Sequence, residues 1–376
     1  MSIGLYIHIP FCEHHCHYCS FPVSVAETKF HRPYLDCLLR ELEMIKLEAS
    51  PRTLYLGGGT PSLVDPKMLA KLVSAVVPGA SEVSLEANPG TLGSEKLDLF
   101  LDIGINRISI GAQSFDKVDL ERAGRLHEAK DTIHDFEFLR RKGFANINID
   151  LICGIPGQNR ESWIENLKWL ERLRPDHVSI YLLDSEDSTF WEQNGSPVQE
   201  QEDQKWFFGS AAERLGAAGY LHYEVSHWAL TGSECLHNLG YWDGTAYRGI
   251  GLGAHSFVDE KRFWNSPSMN TYMSRLSAGE LAIENVEPQT SKIRLQEAFL
   301  LGLRQMRGVE VWKVAKEVGF DYPQEWFDRV ESLVLAGLVG FDGNILRLTQ
   351  AGWLLATDIT EELLCPKLLS ICEATQ

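Results

Sequence analysis

The chain is short of positive charge. Its 376 residues carry 35 Lys and Arg against 52 Asp and Glu, a formal net charge of −17. Nucleic-acid affinity rests on clustered Lys and Arg, and so does attraction to an anionic membrane surface. Neither partner is expected. Long apolar runs are missing as well. No stretch reaches the roughly 18 uninterrupted apolar residues that mark a transmembrane helix. Residues 1–9 hold a short apolar strand with no basic segment before it, so a signal peptide is not expected. A cytoplasmic location is the reading that remains. What is present is ordinary globular material: 44% hydrophobic and 23% charged residues, enough for a large core without disulfide staples. The length suggests two to three domains.

Cysteine is sparse and unevenly placed. Of the 8 cysteines, three lie before residue 20, at Cys12, Cys16 and Cys19. Such clustering in a cytosolic chain points to metal or redox chemistry rather than disulfides. The others are scattered, and Cys37 and Cys153 read as small buried hydrophobes.

Up to about residue 226, β-rich runs alternate with amphipathic helical stretches. The runs are 4–9, 52–57, 82–87, 107–111, 146–152 and 177–182, with a further strand expected at 221–225. The helical stretches are 34–45, 67–77, 94–101, 132–142 and 161–172. Alternating βα units imply a parallel sheet with helical crossovers. Six units fall short of the eight of a TIM barrel, so the fold class is α/β: a partial (β/α)6 TIM-like barrel. Residues 227–287 form an extension, rich in Gly and aromatics but with little clear periodicity in 236–263. Residues 288–376 turn helix-rich, with helices at 294–305, 312–318 and 323–336. Two short runs, 338–341 and 345–348, then flank Asp342-Gly343-Asn344 as a hairpin. That pattern is winged-helix-like, but residues 291–376 carry 9 basic against 12 acidic residues, which favours a lid or packing domain over a DNA binder.

Polar residues recur where the strands end. Strand one leads to the cysteines, strand two to Gly57, Gly58 and Gly59, strand three to Glu86, strand four to Gln113, and strand five carries Asp150. In parallel α/β barrels the βα loops converge on that face, so these residues are expected to share a ligand. The cysteines read C-x3-C-x2-C. Three thiolates on one loop can hold three corners of a cubane iron–sulfur cluster and leave the fourth iron open. Zinc held by the three thiolates and one of His14, His15 or His17 is the alternative on spacing alone.

The spacing after a first strand, with a Gly-rich turn after the second, resembles the signature of radical S-adenosylmethionine (SAM) enzymes. The resemblance sharpens over Tyr6-Ile7-His8-Ile9-Pro10-Phe11-Cys12, Gly57-Gly58-Gly59-Thr60-Pro61, Glu86-Ala87-Asn88-Pro89, Ser109 to Phe115 and Asn148 to Gln158. Together these look like the family of oxygen-independent coproporphyrinogen III dehydrogenase, over nearly the whole chain. The resemblance implies a [4Fe-4S] cluster on Cys12, Cys16 and Cys19, with the amino and carboxylate groups of SAM on the open iron. It implies SAM contacts at Tyr6, Tyr18, Gly58, Gly59, Thr60, Glu86, Gln113, Arg125 and Asp150. The residue types suit this: carboxylates accept from ribose hydroxyls or an ammonium, and a guanidinium pairs with a carboxylate.

Two departures separate the chain from the dehydrogenase itself. That enzyme has a further cysteine two residues after the third, where this chain has Phe21. It also has an N-terminal extension over its active site, which is not expected here because the motif opens at Tyr6. Both departures resemble the paralogous heme chaperone family instead, whose His-Asn-x-x-Tyr-Trp motif matches His237-Asn238-Leu239-Gly240-Tyr241-Trp242. An imidazole can ligate heme iron, and aromatics can pack on a porphyrin face. The resemblance therefore implies heme contacts at His237, Asn238, Tyr241 and Trp242, with His255 as a second ligand candidate. It also implies hemoprotein recipients such as respiratory enzymes, and a homodimer in some states. Coproporphyrinogen dehydrogenase activity is not expected; that enzyme, another radical SAM tetrapyrrole enzyme and a zinc-stabilised binding module are the competing readings.

Overall fold

The structure is a computed structural model that describes residues 3–25, 28–47, 49–183, 190–193, 195 and 201–364. Cys365 and Cys372 lie outside the described residues. Six strands run parallel in chain order: β1 (Gly4–Ile9), β2 (Thr53–Gly58), β3 (Glu82–Ala87), β4 (Arg107–Gln113), β5 (Asn146–Cys153) and β6 (His177–Leu182). Helices cross between them, among them His31–Ile45, Ser94–Asp102, Ala129–Lys142 and Arg160–Leu173. Each matches an amphipathic stretch expected from the sequence to within a few residues. Beyond β6 the sheet continues with β7 (Leu221–Glu224) and β8 (His227–Ala229), both antiparallel to their neighbours, β8 lying between β6 and β7. The run expected at 221–225 is thus a strand, but one that closes a hairpin at the edge.

The extension is more regular than its sequence suggests. A helix, Leu236–Trp242, is followed by β9 (Tyr247–Ile250), β10 (His255–Val258), β11 (Lys261–Asn265) and, after a further helix, β12 (Ile283–Pro288). β9 pairs parallel with β1 on the side away from β2, so the parallel run has seven strands. β10 to β12 then add antiparallel. The twelve strands form one sheet in the order β12-β11-β10-β9-β1-β2-β3-β4-β5-β6-β8-β7. Among the described residues its ends do not pair, so the barrel is open.

Side-chain alternation decides what faces where. Leu5, Ile7, Leu54, Leu56, Val83, Leu85, Ile108, Ile110, Ile147, Ile149, Val178 and Ile180 are buried against the helices in one core. The alternate residues face the other way: Tyr6 and His8, Thr53 and Tyr55, Ser84 and Glu86, Arg107 and Ser109, Asn148 and Asp150, His177 and Ser179. A closed barrel fills that space with Val, Ile and Leu. Here it is a polar chamber, tied together by bonds such as His177 Nδ1 to Asn148 Oδ1 at 2.6 Å and Ser109 Oγ to Asp150 Oδ2 at 2.8 Å.

The C-terminal part has its own core around Phe299, Trp326, Val330 and Leu333. The expected helices are present as Ser291–Gly302, Val311–Val318 and Gln324–Leu335. The expected hairpin is β14 (Val339–Phe341) with β15 (Ile345–Leu348), and a short β13 (Val309–Glu310) joins it. Asp342 accepts from the backbone N–H groups of Asn344 and Ile345, which closes the turn. Among the described residues, no helix is long and apolar enough to cross a membrane.

Candidate functional site

The cysteine loop leaves β1 at Pro10 and is held by close backbone approach. A side chain on Gly58, whose φ is +116°, would run into the His8 ring at 2.5 Å, and one on Gly59 into the Pro10 and Phe11 backbone at 2.7 Å. Small residues at the end of β2 therefore let its backbone lie against the loop. Gly59 and Thr60 donate from their N–H groups to the carbonyls of Ile9 and Phe11, at 2.9 and 2.8 Å. This puts Thr60 Oγ1 3.7 Å from Cys12 Sγ.

Arg125 is the charged centre of the loop's other side. The structure places it after the short helix Lys117–Arg122 with its guanidinium enclosed. It donates to Asn88 Oδ1 at 2.7 Å, the Gly111 carbonyl at 2.8 Å, Tyr18 OH at 3.3 Å and Cys16 Sγ at 3.5 Å. Gln113 ends β4 beside it in a left-handed conformation, φ +67°. Burial pushes the Cys12 thiol up to about 11, against the lowering pull of Thr60, and pushes Cys19 up as well. Thiolates here thus require positive charge, which Arg125 supplies in part and iron would complete.

The donor set fits a cubane better than a single ion. No three His, Cys, Asp or Glu side chains among the described residues converge on a one-ion site, and thiolates around a cubane sit farther apart than around one zinc. Of the loop histidines, His17 Nδ1 donates to the Arg122 carbonyl at 2.8 Å, and His14 Nε2 donates to the Gly124 carbonyl at 2.6 Å while lying 3.4 Å from Cys16 Sγ.

The strand-end carboxylates lie deeper. Glu86 accepts from Tyr55 OH at 2.8 Å and from the Gly58 N–H at 3.0 Å. Burial, with the Asp150 charge adding, raises its carboxyl to about 7 against these bonds. Asp150 accepts from Ser109 and from Asn148 Nδ2, the latter at 2.6 Å. Tyr6 OH is 3.0 Å from His8 Nδ1, and His8 Nε2 lies 3.1 Å from the Pro22 carbonyl. A carbonyl only accepts, so Nε2 carries the proton and Tyr6 donates to Nδ1. His8 has the positional role its place before the cysteine loop suggests, whereas Tyr55 and Asn88 were missed in the sequence as orienting residues. The inward register of Tyr55 on β2, and the Asn two residues after Glu86, were the available signals.

The His-Asn-x-x-Tyr-Trp helix lies at the opposite, N-terminal end of the strands. His237 is 3% exposed, with Nδ1 2.8 Å from Thr53 Oγ1 and Nε2 2.8 Å from Tyr241 OH. Burial and the Arg107 charge drive its pKa down to about 3, so the ring is neutral. Glu82, at the start of β3, accepts from the N–H groups of Leu236 and His237 at 2.9 and 3.0 Å. A carboxylate on the first turn of a helix is the favourable sign for its dipole. In this arrangement His237 is a latch on the chamber floor, and both of its ring nitrogens are engaged. Asn238 and Trp242 are half-buried in the same helix, and the Trp242 ring lies 5.8 Å from the Arg304 guanidinium.

The structure brings Tyr241 and His255 to the other candidates through one cavity of about 440 Å³. Its wall includes Tyr6, Gly58 and Glu86 as well as Tyr241, Tyr247 and His255, with Phe21 and Arg262 at the margin. Phe21 is 66% exposed.

Residues 6–170 match the model of the Radical SAM superfamily, and residues 289–355 that of the HemN C-terminal domain. The heme chaperone HemW of Bacillus subtilis is 33% identical over 371 residues, 94% of this chain and 97% of that one. The Escherichia coli heme chaperone HemW is 37% identical over 268 residues, 68% of this chain and 70% of that one. A bovine mitochondrial protein, radical S-adenosyl methionine domain-containing protein 1, is 31% identical over 94% of this chain and 81% of its own. The solved structure of coproporphyrinogen III oxidase (HemN) from E. coli, a radical SAM enzyme, shares the fold with a TM-score of 0.84 at 23% identity, over 97% of this chain and 90% of that one. With sequence identity of this extent running from the cysteine loop into the C-terminal domain, the chain belongs to the heme chaperone HemW family of radical SAM proteins.

Proposed function

We propose that this chain takes up heme and hands it to hemoproteins, respiratory enzymes among them, in the cytoplasm. Cys12, Cys16 and Cys19 hold a [4Fe-4S] cluster, and Tyr6, Tyr18, Gly58, Gly59, Thr60, Glu86, Gln113, Arg125 and Asp150 surround SAM. Residues 1–226 carry this core, 227–287 the heme-contacting extension and 288–376 the covering domain, with pairing of two copies as a further state. The observation that carries the reading is the cavity shared by Tyr6, Gly58 and Glu86 with Tyr241 and His255. A ligand seated there touches both the SAM-side residues and the aromatic wall. Phe21 supports the same reading, because an exposed phenyl offers apolar surface where the dehydrogenase has a cysteine.

When bound, the cluster and SAM supply one-electron reductive chemistry. The chain's own residues position and shield. Arg125, fixed by Asn88 and the Gly111 carbonyl, presents positive charge to a carboxylate. Glu86, half-buried at the cavity wall with its carboxyl near 7, can hold or release a proton at Oε1 or Oε2. Tyr55 and the Gly58 N–H keep that carboxylate aimed.

The test is transfer. Anaerobically reconstituted protein is loaded with hemin and mixed with a heme-depleted respiratory oxidase, beside free hemin at the same concentration. Faster recovery of the oxidase spectrum from the loaded protein supports the proposal. Recovery no faster than from free hemin sinks it.

A further inference from the structure

Two arginines are enclosed in the barrel, and they are in opposite states. Arg125 spends its N–H groups on Asn88, the Gly111 carbonyl, Tyr18 and Cys16. Arg107 opens β4 on the chamber side and is 2% exposed. Among the described residues its guanidinium makes no hydrogen bond and no ion pair, and its Nε is sealed from solvent. A guanidinium offers five N–H donors and stays ionised at every ordinary pH. Enclosing such a group without an acceptor is costly, so the site calls for one. We propose that the chamber floor holds a small monovalent anion, a halide or a short carboxylate, against Arg107.

The neighbours in register agree. Ser84 on β3 is the cross-strand partner of Arg107 on one side, and Asn146 on β5 is its partner on the other. Strand alternation puts all three side chains on the chamber side. Ser84 is fully buried and its Oγ has no partner; the buried Oδ1 of Asn146 has none either. Three adjacent strands thus place unengaged polar atoms at one level of the chamber. One level up, Glu86, Ser109 and Asn148 stand in the same register, and all three are bonded. A serine hydroxyl can donate to an anion, and the Asn146 amide can rotate to present its NH2 group.

Charge and size select the ligand. Glu82 shares the floor, but its oxygens already accept from the N–H groups of Leu236 and His237. It offsets the Arg107 charge from a distance and satisfies none of its donors. An anionic acceptor pairs with an ionised donor more strongly than a neutral one does, and a low local dielectric widens the gap. With so little of Arg107 exposed, only an anion of a few atoms can lie against it. Burial raises the Glu86 carboxyl, and the Arg107 charge is one of the pulls in the other direction. A bound anion offsets that pull, which links the floor to the SAM-side wall. The site stands apart from the heme reading and does not depend on it.

The experiment is thermal melting of the full chain at fixed ionic strength, with chloride or formate replacing a bulky sulfonate in steps. Wild type, Ser84→Ala and Arg107→Gln are compared. The wild-type melting temperature should begin to rise at a threshold concentration and climb with its logarithm, as binding to the folded state requires. Ser84→Ala should move that threshold up by at least about tenfold, the factor for one lost hydrogen bond to a charged group. Arg107→Gln should melt at one temperature in every mixture. A response to chloride alone makes the occupant a halide, and a response to formate makes it a carboxylate. Bromide soaked into wild-type crystals should give an anomalous peak within hydrogen-bond reach of the Arg107 guanidinium and Ser84 Oγ, a readout that needs no variant to fold. A melting temperature set by ionic strength alone, or the same rise in all three proteins, overturns the inference. So does water rather than bromide beside Arg107 in those crystals.

Discussion

Glu82 offers a direct test of how the His237 helix is held. Its carboxylate is 4% exposed and is the acceptor for two backbone N–H groups, those of Leu236 and His237. It also shares the chamber floor with the buried Arg107, whose guanidinium it helps to hold charged. Glu82→Ala leaves both donors without a partner. A buried donor left unsatisfied costs about 1–3 kcal/mol, so the pair sets a floor of about 2 kcal/mol, and the uncompensated Arg107 charge adds to it. Glu82→Gln keeps one acceptor oxygen and should lose about half as much. The assay is equilibrium denaturation followed by far-UV circular dichroism, and stability should fall from wild type to Gln to Ala. An alanine variant within about 0.5 kcal/mol of wild type, the usual range for surface changes, would refute the reasoning.

Serine at Cys12, Cys16 or Cys19 should abolish the broad absorbance near about 400 nm of a reconstituted cluster, with iron analysis as the check; retained iron in all three variants contradicts the assignment. Gly59→Val should prevent cluster assembly with all three cysteines intact, because its side chain meets backbone carbonyls at 2.7 Å; normal iron content would count against the close-approach argument. Glu86 predicts a pH dependence for cofactor-free protein. Its carboxyl is raised from 4.5 to about 7 by burial, so its contribution is complete below about pH 4.5 and is lost as pH rises to about 7. Melting temperature should fall across that window, and Glu86→Gln should flatten the slope; an equal slope in both proteins rules this out.

Much of the fold was legible because periodicity reports burial. The six parallel strands and their crossovers were readable since one face of each strand is continuously apolar, from Leu5 and Ile7 to Val178 and Ile180. The opposite face was also in the sequence, as Tyr6-x-His8, Ser84-x-Glu86 and Asn148-x-Asp150. Its meaning was not, because alternation alone does not say whether polar residues face solvent or an enclosed chamber. Residues 236–263 gave little periodicity because their strands are four or five residues long and are read with half-buried aromatics on both faces. The cysteine loop and the glycine turn were visible as chemistry. The state of His237 was not. A motif histidine looks the same whether it meets a ligand or, as here, Thr53 and Tyr241, and those partners are fixed only when the helix folds back under β2.

The central claim is that this chain handles heme rather than decarboxylating a porphyrinogen. Anaerobically reconstituted protein, with its iron and SAM confirmed, should be given hemin and coproporphyrinogen III in parallel. Saturable hemin binding with no protoporphyrinogen formed is the predicted result. Steady formation of protoporphyrinogen by a protein that binds no hemin would contradict the account.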